Sequence, residues 1–331
     1  MNPGRILVLK PSSLGDIVHT LPAVAALRAK FPAAQITWMV NPEWAPLLER
    51  NPHINETLVF PRSDFRGPKG WLRFLRWRRG LKAQVSPDLI LDFQGLLRTA
   101  LVARAFRGVP VYGLSDAREG ARLAQTRTVP VDPKSHAVER YLSLAAAAGA
   151  ALVGPPAFAL PDGDRPAETL PDEPFVVLHP FSRGEGKSLS AEAVAAFCRA
   201  MDRPVVIVGR SDEQLGALPQ NATDLLNKTS LTELLWFLRC AAFVVSVDSG
   251  PMHLAAAVTD KLLAIHTWSD PCRVGPYRPG AHVWKAGNFF PALDPLSSSA
   301  PATVPSVNDA ETMARWVRER LRRPEERSVG G

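Results

Sequence analysis

The sequence lacks most of the marks of a small secreted or membrane-spanning protein. Cysteine is confined to Cys198, Cys240 and Cys272, an odd number, widely spaced and without a C-x-x-C pair. That argues against a disulfide framework or a zinc site and fits a reducing compartment. No apolar stretch approaches the roughly 20 residues that a membrane span requires, so any membrane contact is expected to be peripheral. The first ten residues, which enter an apolar run at once, do not have the architecture of a signal peptide. Catalytic signatures are missing too. No G-x-G-x-x-G follows a strand, which weakens a dehydrogenase reading, and there is no G-x-S-x-G elbow and no His, Cys or carboxylate cluster at metal-ligand spacing. Gly186-Lys187-Ser188 looks like the end of a P-loop, but the glycine that the pattern needs at position 181 is Phe181, so a P-loop NTPase is rejected.

The 331 residues are 46% hydrophobic and 21% charged, with a formal net charge of +7. This is an ordinary globular composition, long enough for two domains of roughly 100–200 residues. The basic surplus favours anionic partners without choosing among phosphates, acidic sugars, lipid surfaces and nucleic acid.

Short apolar runs alternate with helical patterns. Arg5–Lys10, Gln35–Val40, Thr57–Phe60, Leu89–Phe93 and Pro110–Leu114 read as strands. Asp16–Lys30, Pro42–Arg50, Trp71–Gln84, a stretch from Leu96 and His136–Ala150 read as helices. Ala151–Pro174, dense in Pro, Asp and Gly, reads as an interdomain linker. The pattern restarts with strands at Phe175–His179, Val205–Val208, Phe243–Val247 and Lys261–His266, and ends in a helix at Val307–Leu321. Strand–helix alternation in both halves implies an α/β chain of two doubly wound parallel-sheet domains, 1–160 and 161–331, facing each other across a cleft. The terminal helix is free to pack back on the first domain.

Four segments could carry chemistry. Lys10–Asp16 (KPSSLGD) follows the first strand and opens a helix. Backbone N–H groups there can meet an anion, Gly15 permits close approach, and Asp16 offers a carboxylate for general-base work. Ser13 or Asp16 as a helix cap is the plainer alternative, and on spacing alone the commoner one. Phe243–His253 (FVVSVDSGPMH) repeats the strand–turn–helix form, with Asp248, Ser249 and Gly250 at the turn and His253 one turn in. Phosphate binding and simple capping explain it equally well. Ser182–Ser188 follows the first strand of the second half and presents Lys187 either to a diphosphate or to solvent. The stretch from Arg62 to Lys82 mixes arginines with Trp71, Phe74 and Trp77. It could meet an anionic membrane or nucleic-acid phosphates, or simply pack Trp71, Phe74 and Leu75 on the sheet with its arginines in water.

Taken together, these segments resemble the heptosyltransferases that build the lipopolysaccharide inner core, heptosyltransferase I above all. The likeness runs along nearly the whole chain: KPSSLGDIVHTLPAV from Lys10, DFQGLLRTAL from Asp92, DAREGA from Asp116, HAVER from His136 and VSVDSGPMHLAAA from Val245. The resemblance implies a GT-B fold, with the acceptor bound by the first Rossmann-like domain and a nucleotide sugar by the second. It implies an inverting, metal-independent enzyme without a cofactor, which moves L-glycero-D-manno-heptose from ADP-heptose to the Kdo region of lipid A. Such an enzyme would work as a monomer, cytoplasmic and peripheral to the inner membrane, with no nucleic-acid partner.

By matching position, Asp16 would be the catalytic base. Ser13, Gly15, Ser182, Lys187, Glu213, Thr229, Asp248, Ser249, Gly250 and His253 would bind the donor. Arg66, Lys69, Gln94, Arg118, His136 and Arg140 would bind the acceptor. Ser249 stands where the family more often has Thr and keeps the hydroxyl. The loop from His179 to Lys187 departs from the family pattern by one extra residue and carries two glycines. A relative using another nucleotide-linked sugar would show the same segments, and a degenerate, basic binding protein is the alternative of a different class.

Overall fold

A computed structural model describes residues 2–167 and 171–322. It divides into two compact units, Met1–Pro161 and Asp162–Gly331. In the first, the elements run β1 (Arg5–Leu9), α1 (Leu14–Lys30), β2 (Gln35–Val40), β3 (Glu56–Val59), α2 (Gly70–Gln84), β4 (Leu89–Asp92), α3 (Leu97–Ala103), β5 (Val111–Leu114), β6 (Arg127–Val129) and α4 (Ala137–Ala147). The strands form one parallel sheet in the order β3-β2-β1-β4-β5-β6. The order reverses between β1 and β4, so the loops that follow these two strands frame the switch point where doubly wound sheets bind ligands.

β1 and β4 are buried almost throughout, as central parallel strands covered on both faces must be. Phe74 and Leu81 of α2 pack with Val102 and Ala103 of α3 against Leu7, Leu9, Met39 and Ile90, while α1 packs on α4. One expected helix is different: Pro42–Leu48 forms a 3₁₀ helix, with Pro42 at its start and Pro46 inside it. Proline removes donors that an α-helix needs.

The second unit runs β7 (Val176–His179), α5 (Ala191–Ala200), β8 (Val205–Gly209), β9 (Ala222–Leu226), α6 (Leu231–Cys240), β10 (Phe243–Val247), α7 (Gly250–Val258), β11 (Leu262–Ile265), α8 (Pro271–Val274), β12 (His282–Lys285), β13 (Asn288–Pro291), α9 (Pro295–Ser299) and α10 (Val307–Arg322). The sheet order is β13-β12-β11-β10-β7-β8-β9, parallel except for β13. Its switch point lies between β7 and β10. Ala310, Met313, Ala314 and Val317 of α10 belong to the core of the second unit, with Val194, Phe197 and Cys198 of α5.

The segment read as a linker is tied down on both sides of the division. Asn51 Nδ2 donates to Ala159 O at 2.9 Å, and Asp164 N donates to Thr232 O at 3.2 Å. Gly163 lies so close to α6 that a Cβ there would come within 2.5 Å of the Trp236 nitrogen.

Candidate active site

At the switch point of the first unit, Ser13 is the N-cap of α1 and Asp16 its third residue. Asp16 Oδ2 accepts from the Ser13 N–H at 3.1 Å and the Ser13 hydroxyl at 2.8 Å. Oδ1 accepts from the Tyr141 hydroxyl at 2.9 Å and lies 3.6 Å from Lys10 Nζ. The cap and the poised carboxylate are thus one arrangement: the bonds that close the helix end also aim Asp16.

Lys10 ends the apolar β1 run with its side chain only 3% exposed. Its ammonium crosses the switch point, donating to Phe93 O beyond β4 at 3.0 Å and to Tyr141 Oη at 2.7 Å. Asp92, fully enclosed at the end of β4, accepts from the N–H groups of Gln94 and Gly95 and from the Thr99 hydroxyl.

The charges follow from this geometry. Burial raises the Asp16 pKa, but the Lys10 charge and the two Ser13 hydrogen bonds outweigh it and hold the carboxyl well below the usual range. Burial lowers the Lys10 pKa, and the charges of Asp16 and Asp92 offset only part of that. Tyr141 is pushed well above the ordinary phenol value by burial and by Asp16, so it donates as a neutral hydroxyl. Burial raises Asp92 despite its three hydrogen bonds. The product is an ionised carboxylate, 37% exposed, with donors behind it and an open side.

Of the residues expected on the acceptor side, Gln94 is brought to this loop, its Oε1 accepting from Ser12 N at 3.3 Å. Arg118 is exposed, and its backbone N–H anchors to Gly95 O at 2.8 Å. Arg140 pairs with Asp116 and lies close enough to influence the charge of Lys10. His136 is 5% exposed and serves as the N-cap of α4, its Nδ1 accepting from Val138 N at 3.1 Å. That is a structural role, and burial leaves it little surface for an acceptor. Arg66 and Lys69 are exposed before α2, and no bond joins them to the Asp16 loop. Ser13 and Gly15, expected to meet the donor, belong to the first unit, where both Ser13 donors are spent on Asp16. Arg98 was missed: its Nη2 donates to Ser12 Oγ at 3.4 Å, and burial together with the Arg62 charge lowers its pKa.

The second unit repeats the design at its own switch point. Burial pushes the His179 pKa down to about 4. Its Nδ1 meets Ser246 Oγ at 3.2 Å and Ser249 Oγ at 3.3 Å, and both hydroxyls donate to Val247 O. The imidazole is therefore neutral. Ser249 is the N-cap of α7, but with its hydroxyl turned to Val247 O the side chain caps nothing. A helix N-terminus without a side-chain cap attracts anions.

Beside it, Lys187 Nζ pairs with Asp248 Oδ2 at 2.7 Å and lies over the Trp268 ring, 4.4 Å from its centroid. Gly184 and Gly186 hold positive φ, +106° and +73°, and so turn the loop back. Asp248 is raised by burial, but His266, Lys187 and His253 more than reverse this and keep it ionised. Burial and the nearby cations push His266 down to about 4 against the pull of Asp248. Lys187, Asp248 and His253 thus lie together at the start of α7, which Ser249 precedes and Gly250 opens. Ser182 serves the loop itself, its N–H donating to Ser188 Oγ. Exposed Glu213 and buried Thr229 follow β8 and β9. His179, His266 and Trp268 were not anticipated. Among the described residues, no three of His, Cys, Asp and Glu are grouped so as to hold a metal ion.

Two Rossmann-like doubly wound domains, each with polar groups converging on its switch point, are the architecture of the GT-B glycosyltransferases. The fold matches E. coli heptosyltransferase WaaC solved with ADP, with a TM-score of 0.73 at 24% identity over 95% of this chain and 99% of that one. The chain belongs to glycosyltransferase family 9 (heptosyltransferase), whose model matches residues 74–289. It is 31% identical to lipopolysaccharide heptosyltransferase 1 of Pseudomonas aeruginosa, over 89% of this chain and 87% of that protein. It is 28% identical to the protein of the same name in E. coli K12, over 85% and 93%.

Proposed function

We propose that this glycosyltransferase moves L-glycero-D-manno-heptose from ADP-heptose to a Kdo sugar of lipid A, with inversion and with no resident cofactor, at the cytoplasmic face of the inner membrane. The observation that carries the reading is the Asp16 carboxylate, ionised, partly exposed and oriented by Lys10, Tyr141 and Ser13. An inverting displacement needs one base to take the proton of the acceptor hydroxyl while the leaving group departs from the opposite face. Asp16 is a weak base in the resting site. The attacking hydroxyl becomes strongly acidic only as its oxygen bonds to the anomeric carbon, so the proton passes late, around an oxocarbenium-like transition state.

The leaving diphosphate needs positive potential, and Lys187 with the start of α7 supplies it. Asp248 holds Lys187 in place. The names of the relatives support a lipopolysaccharide acceptor, and the surplus of +7 suits a donor and an acceptor that are both anionic. Both polar clusters are intact, which speaks against a degenerate binding protein.

Asp16→Ala tests the reading. Transfer to Kdo-lipid A should be abolished while calorimetric binding of ADP-heptose stays within about threefold. Wild-type-like turnover would remove Asp16 from the mechanism. Preference for a UDP- or GDP-sugar in the same titrations would keep the base and change the donor.

A further inference from the structure

We propose that the first three turns of α2 form a docking surface for anionic lipid headgroups, with Trp71 and Leu72 entering the interface and Arg73, Arg76 and Arg79 meeting the charge. The residues from Phe65 to Gln84 include seven Lys and Arg and no Asp or Glu. A helix that only covered a sheet would bury its large apolar side chains and leave its cations in water. Here Phe74 and Leu81 do pack inward, but Trp71 is 54% and Leu72 62% exposed. Trp71 stacks on Phe74, with centroids 5.5 Å apart and planes 27° apart, so its indole is held on the surface in a fixed pose. An amphipathic aromatic ring beside arginines is the composition that partitions to a membrane interface. Among the described residues no carboxylate pairs with Arg73, Arg76 or Arg79. The Arg73 guanidinium donates to the Asp64 carbonyl, at 3.2 Å.

The location suits the purpose. β3 is parallel to β1 and β4, so the chain leaving it emerges at the carboxyl edge of the sheet, the edge that carries the Asp16 loop. α2 begins there. Arg62, just before it, is near enough to Arg98 to lower its pKa, and Arg98 reaches Ser12. Docking by these turns would bring the candidate base toward the lipid surface. Only this purpose rests on the proposed acceptor, since the docking itself does not. Phosphates of a nucleic acid would satisfy the arginines equally, but they give no reason for an exposed Leu72.

The test is co-sedimentation of the full chain with phosphatidylcholine vesicles, with vesicles containing one quarter phosphatidylglycerol, and with a random oligonucleotide in parallel. Binding to the anionic vesicles alone, weakened in 0.5 M NaCl, is expected. Trp71→Ser with Leu72→Ser should weaken it by removing the inserted apolar surface, and separately Arg76→Glu with Arg79→Glu should weaken it at least tenfold, since each surface cation contributes about fivefold. Both variants should keep the wild-type circular dichroism spectrum and turnover on a deacylated, water-soluble acceptor. Vesicle binding that is absent, unaltered in the variants or replaced by oligonucleotide binding overturns the proposal. Transfer without docking would overturn the docking proposal alone, and docking without transfer the proposed function alone.

Discussion

Replacing Lys10 by Met keeps much of the side-chain volume and removes the charge behind Asp16. Lys10 Nζ lies 3.6 Å from Asp16 Oδ1. At that distance a unit charge pair is worth about 5 kcal/mol at an effective dielectric constant of 20 and about 1 kcal/mol in water. Asp16 is 37% exposed, which places the interaction in the lower half of that range. At about 1.4 kcal/mol per pH unit, the loss should raise the Asp16 titration by about one to two pH units. In the wild type the carboxyl is held well below the usual range, so kcat/KM should show no acid limb from this group while the protein remains folded. In Lys10→Met a limb should rise toward the ordinary carboxylate range, and Lys10→Arg should suppress it again. Linkage has the same sign. A carboxyl with a lowered pKa adds stability above its unfolded pKa and loses it as pH falls through the folded value. Melting of Lys10→Met should therefore begin its acid decline at higher pH. The assay is initial-rate transfer from pH 2 to 8 beside thermal melts at each pH. An unchanged acid side in both would refute the idea that Lys10 tunes Asp16.

Two further outcomes follow from the second unit. Gly209 holds φ +127°, and a Cβ there would come within 2.8 Å of the His179 ring. Gly209→Ala should cost about 2–4 kcal/mol and lower the Tm by about 5–10 °C, and an unshifted melting curve would refute that packing. Lys187→Ala removes a charged contact worth about 1.5–3 kcal/mol, so calorimetric ADP affinity should fall about 10- to 100-fold. Unaltered affinity would detach Lys187 from the diphosphate.

The elements most legible from sequence are the central ones. β2 and β10 fall where expected because they are continuous apolar runs, buried on both faces. β6, β9, β12 and β13 went unread. Arg127–Val129 and Ala222–Leu226 are short outer strands with polar residues, and their pairing comes from the neighbouring strand and not from a pattern of their own. Asp16, Lys187 and the Asp248–His253 turn were visible because each begins a helix or loop straight after a buried strand, where local spacing is informative. Lys10 offered a faint signal, a lysine ending an apolar run. Tyr141 offered none, since it stands 125 residues from the carboxylate it serves.

Residue order along the chain establishes the alternation of buried strands and helices, and with it two doubly wound units. Short-range physics settles this, because hydrophobic periodicity, caps and glycine turns act within a few residues. Protonation states and partners emerge only once the chain is packed. Packing α4 beside α1 delivers the Tyr141 hydroxyl and helps bury Lys10, and the Lys10 charge with the hydrogen bonds of Tyr141 and Ser13 turns a capping aspartate into an oriented anion. Packing also showed that His136 is a cap and that Trp71 and Leu72 are left exposed at the surface. Electrostatics and desolvation depend on what surrounds a group in space, and neighbours 80 to 130 residues distant cannot be read from spacing along the chain.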